Sequence, residues 1–282
     1  MAAARAFGGT VINADAMQVY RDLSVLTARP SAADETAVPH ALYGTIDAAD
    51  AFSVARYVEA CRDAITAART EGRVPVLVGG TGLYLAALFE GLSPLPPVPA
   101  SIRERWRKAQ AEQPPEALHA ELQQRDPAMA ATLRPTDPQR IVRALEVIDG
   151  TGRSLLSWQA EKGPALLSPE ATRRIVIAPD RASLRDTIAA RFDAMVVAGA
   201  VDEAVALTAR GLPPDLPAMK AIGVRPLAAA ASGAIPMADA IAQSVTETRQ
   251  YAKRQETWFR HRFADWPRAP TADAAFRALQ KE

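Results

Sequence analysis

R-V-P-V-L-V-G-G-T-G-L-Y, residues 73–84, decides the fold. Its continuous apolar run has the length of a strand, ends in glycines and opens onto a helical pattern. Just upstream, from Ser53 to Thr70, apolar residues recur at helical spacing, with Ser53 as a natural N-cap and Gly72 as the stop. Earlier still, T-V-I-N-A-D-A-M-Q-V-Y (10–20) is a second short apolar run, ending at Asp15 and preceded by an Ala-rich helix tail at 2–7 with Gly8-Gly9 behind it. Buried strands alternating with helices predict an α/β fold: a parallel sheet covered on both faces.

Working outward, the character changes after Leu92. S-P-L-P-P-V-P (93–99) continues neither a helix nor a central strand, because proline has no amide to donate. Residues 100–160 are helical in pattern and rich in Arg, Glu and Gln, an all-helical insertion. R-R-I-V-I-A-P-D (173–180) returns to strand character, and helices dominate from Ser183 onward, broken by L-P-P-D-L-P (212–217) and Gly223. The expected organisation is a core over 1–97, a helical insertion over 98–168 and a mainly helical second part of the core over 169–282.

Composition narrows the class. Across 282 residues, 49% hydrophobic and 23% charged is globular usage, which argues against disorder. No apolar run is as long as a membrane span, and the first residues lack a signal peptide's apolar core. A single cysteine, Cys61, excludes an intrachain disulfide and a multi-cysteine metal site, so a cytoplasmic protein without a membrane partner is expected. The net charge of +1 does not advertise a nucleic acid, but R-Q-Y-A-K-R-Q-E-T-W-F-R-H-R (249–262) holds four Arg, one Lys and one Glu. That stripe reads either as a phosphate-gripping, base-stacking face or as a solvated helix face with Tyr251, Trp258 and Phe259 turned to the core.

Four stretches carry chemistry. Gly79, Gly80 and Thr81 lie where a strand passes into a helix, so their amides and the positive helix end suit an anion, unless the turn is merely tight. Asp15 sits at the carboxyl end of a strand, where open α/β sheets collect ligands; it can accept a proton, bind Mg²⁺ or simply cap a helix. In D-P-Q-R-I-V-R-A-L-E-V (137–147), Asp137 and Pro138 start a helix with Gln139, Arg140 and Arg143 on one face, open to an anionic partner or paired with Glu146. M-K-A-I-G-V-R (219–225) places Lys220 and Arg225 around a chain reversal that can bring both to a phosphate. The histidines are scattered without metal-ligand spacing, and no nucleophile elbow is present.

N-A-D-A-M-Q-V-Y, V-P-H-A-L, L-V-G-G-T-G-L-Y, D-P-Q-R-I-V-R-A-L-E-V, K-A-I-G-V-R and Q-Y-A-K-R-Q-E-T-W-F-R occur in that order over nearly the whole chain. Together they resemble the bacterial tRNA dimethylallyltransferases, or tRNA isopentenyltransferases. The resemblance implies a P-loop NTPase-like core with a helical insertion. It implies transfer of a dimethylallyl group from dimethylallyl pyrophosphate, with Mg²⁺, to N6 of the adenosine 3′ of the anticodon in tRNAs reading codons that begin with U. By the same resemblance Asp15 is the general base, Thr81 lies beside the pyrophosphate and the adenosine, and Arg225 neutralises charge. Asp15, Ala16, Met17 and Gln18 contact the extruded base, and Gly79, Gly80 and Thr81 the pyrophosphate. Arg103, with Gln139, Arg140, Ile141, Val142 and Arg143, holds the anticodon stem-loop, joined by Lys220, Ala221, Ile222, Gly223, Val224 and Arg225. A monomer is expected.

The chain departs from that family at two places. The family's G-x-x-x-x-G-K-[ST] loop and the strand feeding it are not in the sequence. The resemblance places them immediately before Met1, and expects these 282 residues to be unstable and nearly inactive beside a version extended upstream. Many relatives read V-P-H-H-L-I-D where this chain has V-P-H-A-L-Y-G (38–44), so no role is assigned to His40. Two rival readings remain: a nucleotide-kinase-like phosphoryl transferase, and a tRNA-binding remnant without catalysis.

Overall fold

The computed structural model describes residues 1–281. They form two compact units: one built from Met1–Phe89 and Leu166–Glu282, the other from Glu90–Ala165.

The first unit begins with α1 (Ala2–Ala6), β1 (Gly9–Asn13), α2 (Ala32–Ala37), β2 (His40–Ala41), α3 (Val54–Thr70), β3 (Val74–Val78) and α4 (Gly82–Glu90). The three strands make one parallel sheet in the order β2-β1-β3. β1 is central and buried along its whole length. Its register pairs Gly9 with Val74 and Asn13 with Val78, so both strands end level with each other. Ser53 accepts the Arg56 amide and starts α3, as its sequence predicts. That helix buries Tyr57, Cys61 and Ile65 at helical spacing against Ile12, Tyr84, Leu85 and Leu88. Burying each large side chain contributes about 1.5–3 kcal/mol.

The opposite face of the sheet differs from expectation. There Val11, Val76 and Val38 are covered by Ala4 of the five-residue α1, while Val74 and Val78 remain 47% exposed. The predicted coverage on both faces is corrected for β3: α1 is too short to reach both ends of the strand.

The second unit is entirely helical: α5 (Ala100–Glu112), α6 (Pro115–Arg125), α7 (Pro127–Ala130), α8 (Pro138–Thr151) and α9 (Leu155–Ala160). Asp137 accepts the Arg140 amide and caps α8, and Gly152 ends it in the left-handed conformation. Its core gathers Trp106, Leu118, Leu122, Ile141, Leu145 and Val147.

The chain then returns to the first unit with β4 (Val176–Ile177), α10 (Arg181–Val197), α11 (Ala200–Ala209), α12 (Val224–Ala231), α13 (Met237–Arg262), β5 (Arg268–Ala269) and α14 (Ala272–Lys281). The strand expected over 173–180 shrinks to two residues, paired in parallel with β5 rather than joining the main sheet. α13 runs 26 residues, about 39 Å at 1.5 Å per residue. Its first half packs Ala240 and Val245 among α10, α11 and α12; its last turns pack Phe259 against Phe263 and Trp266. Among the described residues no helix is long and apolar enough to cross a membrane.

Candidate active site

The level ends of β1 and β3 bring Asp15 and Thr81 together. The Thr81 amide donates to the Ala14 carbonyl at 3.2 Å, and the Ala16 amide donates to the Thr81 hydroxyl oxygen at 2.9 Å. Asn13 anchors the turn between them: its side chain accepts the Asp15 amide and donates to the carbonyls of Asp15 and Leu42.

The two oxygens of Asp15 have different fates. Oδ1 accepts the amides of Met17 at 2.7 Å and Gln18 at 3.3 Å, which is capping work done on a turn with no helix behind it. Oδ2 has no hydrogen-bond partner among the described residues. Three phenols surround this carboxylate. Burial lifts the Tyr43, Tyr84 and Tyr251 hydroxyls above the ordinary phenol range, and the Asp15 charge raises each further. Tyr251 also meets the Thr81 and Gln255 side chains, which pull the other way. Tyr84 is stacked on Tyr57 with ring centres 3.8 Å apart.

The glycines of the turn admit their neighbours. A Cβ on Gly79 would lie 2.1 Å from the Ala14 backbone, one on Gly80 2.2 Å from Gln255, and one on Gly82 2.2 Å from the Trp258 ring. The Thr81 amide is spent on Ala14, whereas those of Gly79 and Gly80 carry no hydrogen bond among the described residues. α13 thus presents Tyr251, Gln255 and Trp258, four and three residues apart, to this turn. Beside them Lys253, Arg254, His261 and Arg262 line an open groove. The two readings of the 249–262 stripe divide between its residues: Phe259 is buried, Trp258 is half-buried, and Tyr251 is 37% exposed while its hydroxyl turns inward to Thr81 and Gln255.

The K-A-I-G-V-R turn packs against the residues that follow Asp15. Ala221 and Val224 are buried with Val19, Tyr20, Leu23, Met17 and Leu26. Gly223, at φ +94°, lies so close to Leu26 that a Cβ would come within 2.7 Å of its side chain. Lys220 and Arg225 face solvent, and the Arg225 guanidinium donates to the Pro214 carbonyl at 2.7 Å. Of the segment expected to touch tRNA, Ala221 and Val224 have their side chains in the core, so a contact there would go through the backbone of the turn. Ile222 is half-buried.

In the helical unit Arg103, Gln139, Arg140 and Arg143 are exposed. Arg140 pairs with Asp137 at 3.4 Å and Arg143 with Glu146 at 3.1 Å. Ile141 is fully buried and Val142 nearly so, and their side chains build the core from which the exposed arginines project.

For Mg²⁺, no group of three or more His, Cys, Asp or Glu gathers among the described residues. Mg²⁺ is commonly held by one or two carboxylates together with substrate phosphates and water. Asp15 Oδ2 or the Thr81 hydroxyl fits a metal that arrives with a pyrophosphate, and neither forms a protein cage of its own.

Periodicity missed Tyr43, Tyr84, Tyr251 and Gln255. The signal for three of these was the i, i+4, i+7 spacing of Tyr251, Gln255 and Trp258 inside the basic stripe, and the tyrosine that closes G-G-T-G-L-Y.

Residues 18–262 match the family described as IPP transferase. The chain is 50% identical over 273 residues to the tRNA dimethylallyltransferase of Rhodopseudomonas palustris strain CGA009, covering 96% of this chain and 85% of that protein. It is 50% identical over 276 residues to that of Methylocella silvestris, covering 98% and 91%. Its fold is similar to the crystal structure of the tRNA isopentenylpyrophosphate transferase from Bacillus halodurans, with TM-score 0.68 and 32% identity over 99% of this chain and 88% of that one. It is also similar to a eukaryotic dimethylallyltransferase acting on tRNA, with TM-score 0.76 and 26% identity over 92% and 65%.

Proposed function

The chain belongs to the IPP transferase family, and on that premise we propose that it transfers the dimethylallyl group of dimethylallyl pyrophosphate to N6 of the adenosine 3′ of the anticodon, in tRNAs reading codons that begin with U. The observation that carries this reading is the divided carboxylate of Asp15. One oxygen is fixed by two backbone amides, the other has no hydrogen-bond partner among the described residues, and the next amide along, that of Ala16, rests on Thr81.

An exocyclic amine attacks well only as it loses a proton, and a positioned carboxylate contributes typically about 10²–10⁴-fold by accepting it. In the proposed step the bond from the allylic carbon to the pyrophosphate oxygen breaks and the carbon–nitrogen bond to N6 forms. The N6 proton passes to Asp15 Oδ2, and the pyrophosphate leaves with the electron pair. The free amides of Gly79 and Gly80, the Thr81 hydroxyl and the Arg225 cation are the groups suited to the charge that builds on the leaving oxygens. Mg²⁺, held through the Thr81 hydroxyl and the substrate pyrophosphate, would supply further charge neutralisation when bound and would leave Asp15 Oδ2 open to the proton. Arg103, Gln139, Arg140, Arg143 and Lys220 are offered to the stem-loop phosphates. The base must leave its stack for this chemistry, and Asp15 to Gln18 form the turn that would receive it. We assign the work to a monomer in the cytoplasm, where its tRNA substrates are.

Incubation with dimethylallyl pyrophosphate and an anticodon stem-loop tests the reading. Pyrophosphate release matched by one prenylated adenosine per turnover is expected. ADP formation from ATP instead would establish the kinase-like rival, and stem-loop binding without transfer the non-catalytic one.

A further inference from the structure

The residues after Asp15 to Gln18 run from Arg21 to Arg29 without helix or strand. Three successive amides in that run converge on one carboxylate. Ser24 and Val25 donate to Glu203 Oε2 at 2.6 and 2.8 Å, and Leu26 to Oε1 at 2.9 Å. Neighbouring backbone amides that point into one concavity form an anion-binding nest. Here the anion is the protein's own, from the first turn of α11, 178 residues further along the chain than Val25.

The grip has a consequence four residues on. The 24–29 segment closes on itself, with the Ala28 amide on the Val25 carbonyl and the Arg29 amide on the Ser24 carbonyl, both at 3.0 Å. Ala28 is held at φ +51°, a conformation that a residue with a side chain keeps only where its surroundings impose it. In that form the Thr27 and Ala28 carbonyls both accept from Gln18 Nε2, at 2.8 and 3.3 Å. A glutamine amide has two donor hydrogens and one oxygen. With the donors turned to two carbonyls, the amide has one orientation, and Oε1 has no partner among the described residues. Gln18 therefore meets a ligand as an acceptor, suited to an N–H on a base edge.

We propose that Glu203 is a positioning residue for tRNA recognition: by fastening the 24–26 amides it sets the two carbonyls that lock Gln18 with Oε1 presented to a base donor. This rests on the proposed reaction for its substrate. Glu203 touches no substrate; it acts through Gln18, and the neighbouring Arg210, bound to Asp22 and Asp47, holds the other end of the same loop.

The test compares the full chain with E203A, E203Q, Q18A and the Q18A/E203A double variant, in steady-state transfer and in equilibrium binding to an anticodon stem-loop. E203A is expected to raise the KM and the Kd for the stem-loop about tenfold, the scale of one lost hydrogen bond at its upper range, with the KM for dimethylallyl pyrophosphate within about twofold. E203Q, which keeps one accepting oxygen, recovers part of the loss and serves as the reporter should E203A fold poorly. The double variant is no worse than Q18A alone. If the two single losses instead multiply, or if both KM values rise while the melting temperature falls, as expected for Ile188→Ala at a buried position of α10, the proposal is wrong. Absence of transfer by the unaltered chain counts against the proposed reaction only; the binding arm still decides Glu203.

Discussion

The Gln255 side chain donates to the Gly80 carbonyl at 2.9 Å, fastening α13 to the turn between β3 and α4. The contact needs glycine at position 80, since a Cβ there would overlap the Gln255 amide. The same helix seats Trp258 over Gly82, and Tyr251 next to Thr81. The turn is thus shaped by its helix neighbour as much as by any anion.

The three glycines should rank by what resists them. Gly79→Ala meets main chain, Gly82→Ala meets a rigid indole, and Gly80→Ala meets the end of a flexible side chain. Overpacking costs typically about 1–3 kcal/mol, with Gly79→Ala at or above the top and Gly80→Ala near the bottom. Urea denaturation of the three variants gives the order; equal losses would contradict it.

Asp15→Asn keeps an oxygen for the Met17 and Gln18 amides and removes the proton acceptor. We expect kcat to fall about 10²–10⁴-fold, with melting temperature and stem-loop affinity little changed. Asp15→Ala should lose the anchor too, and weaken stem-loop binding besides. A kcat for Asp15→Asn within a few-fold of the parent would remove Asp15 from the role of base.

Alkaline pH should unfold this protein sooner than its acidic groups would suggest. All five tyrosines, Tyr20, Tyr43, Tyr57, Tyr84 and Tyr251, are raised by burial above the ordinary 10.0. Above pH 10 the unfolded chain releases these protons while the native chain keeps them, so stability is full below that point and declines as pH climbs toward the native values. Each fully shifted, buried phenol contributes a slope of about 1.4 kcal/mol per pH unit; Tyr57, raised furthest, contributes over the widest range, and the partly exposed Tyr251 contributes less because solvent screens it. Cys61, pushed by burial from 9.0 to about 11, adds in the same direction and should resist alkylation in the native state below that pH. Stability measured from pH 8 to 12, with thiol labelling alongside, checks both; a flat profile through pH 11 would be inconsistent with the burial.

On the proposed reading, α8 carries recognition on its exposed face and folding on its buried one. Arg140→Ala with Arg143→Ala should lower the salt dependence of RNA binding, by about 0.7–0.9 in the log–log slope for each lost phosphate contact. Ile141→Ala should leave that slope intact and cost about 2–5 kcal/mol of stability. Binding titrations between low and moderate salt, paired with thermal melts, distinguish the two effects.

Much of this arrangement is written locally. Ser53 and Asp137 announce their helices because capping depends on a few adjacent residues. Asp15 and Thr81 are foreseeable as neighbours because two parallel strands of equal length end side by side. What sequence periodicity does not contain is the partner. It gives Ile141 and Val142 the same segment as Arg140 and Arg143, and only the packing of α8 sorts core from surface. It reads β3 as buried because its residues are apolar, although a five-residue helix leaves Val74 and Val78 in the open. Glu203 and Gln255 reach the loops they hold across 178 and 175 residues, a distance over which no local pattern is informative.

The length of α13 has an evolutionary corollary. Each residue turns a helix by about 100°, so a single insertion between Val245 and Tyr251 would swing Tyr251, Gln255 and Trp258 a quarter-turn or more away from the glycines while leaving the upstream packing in register. Length variation in homologous chains should therefore fall in the connections on either side of this rod and spare its interior, even at positions whose side chains point only to water.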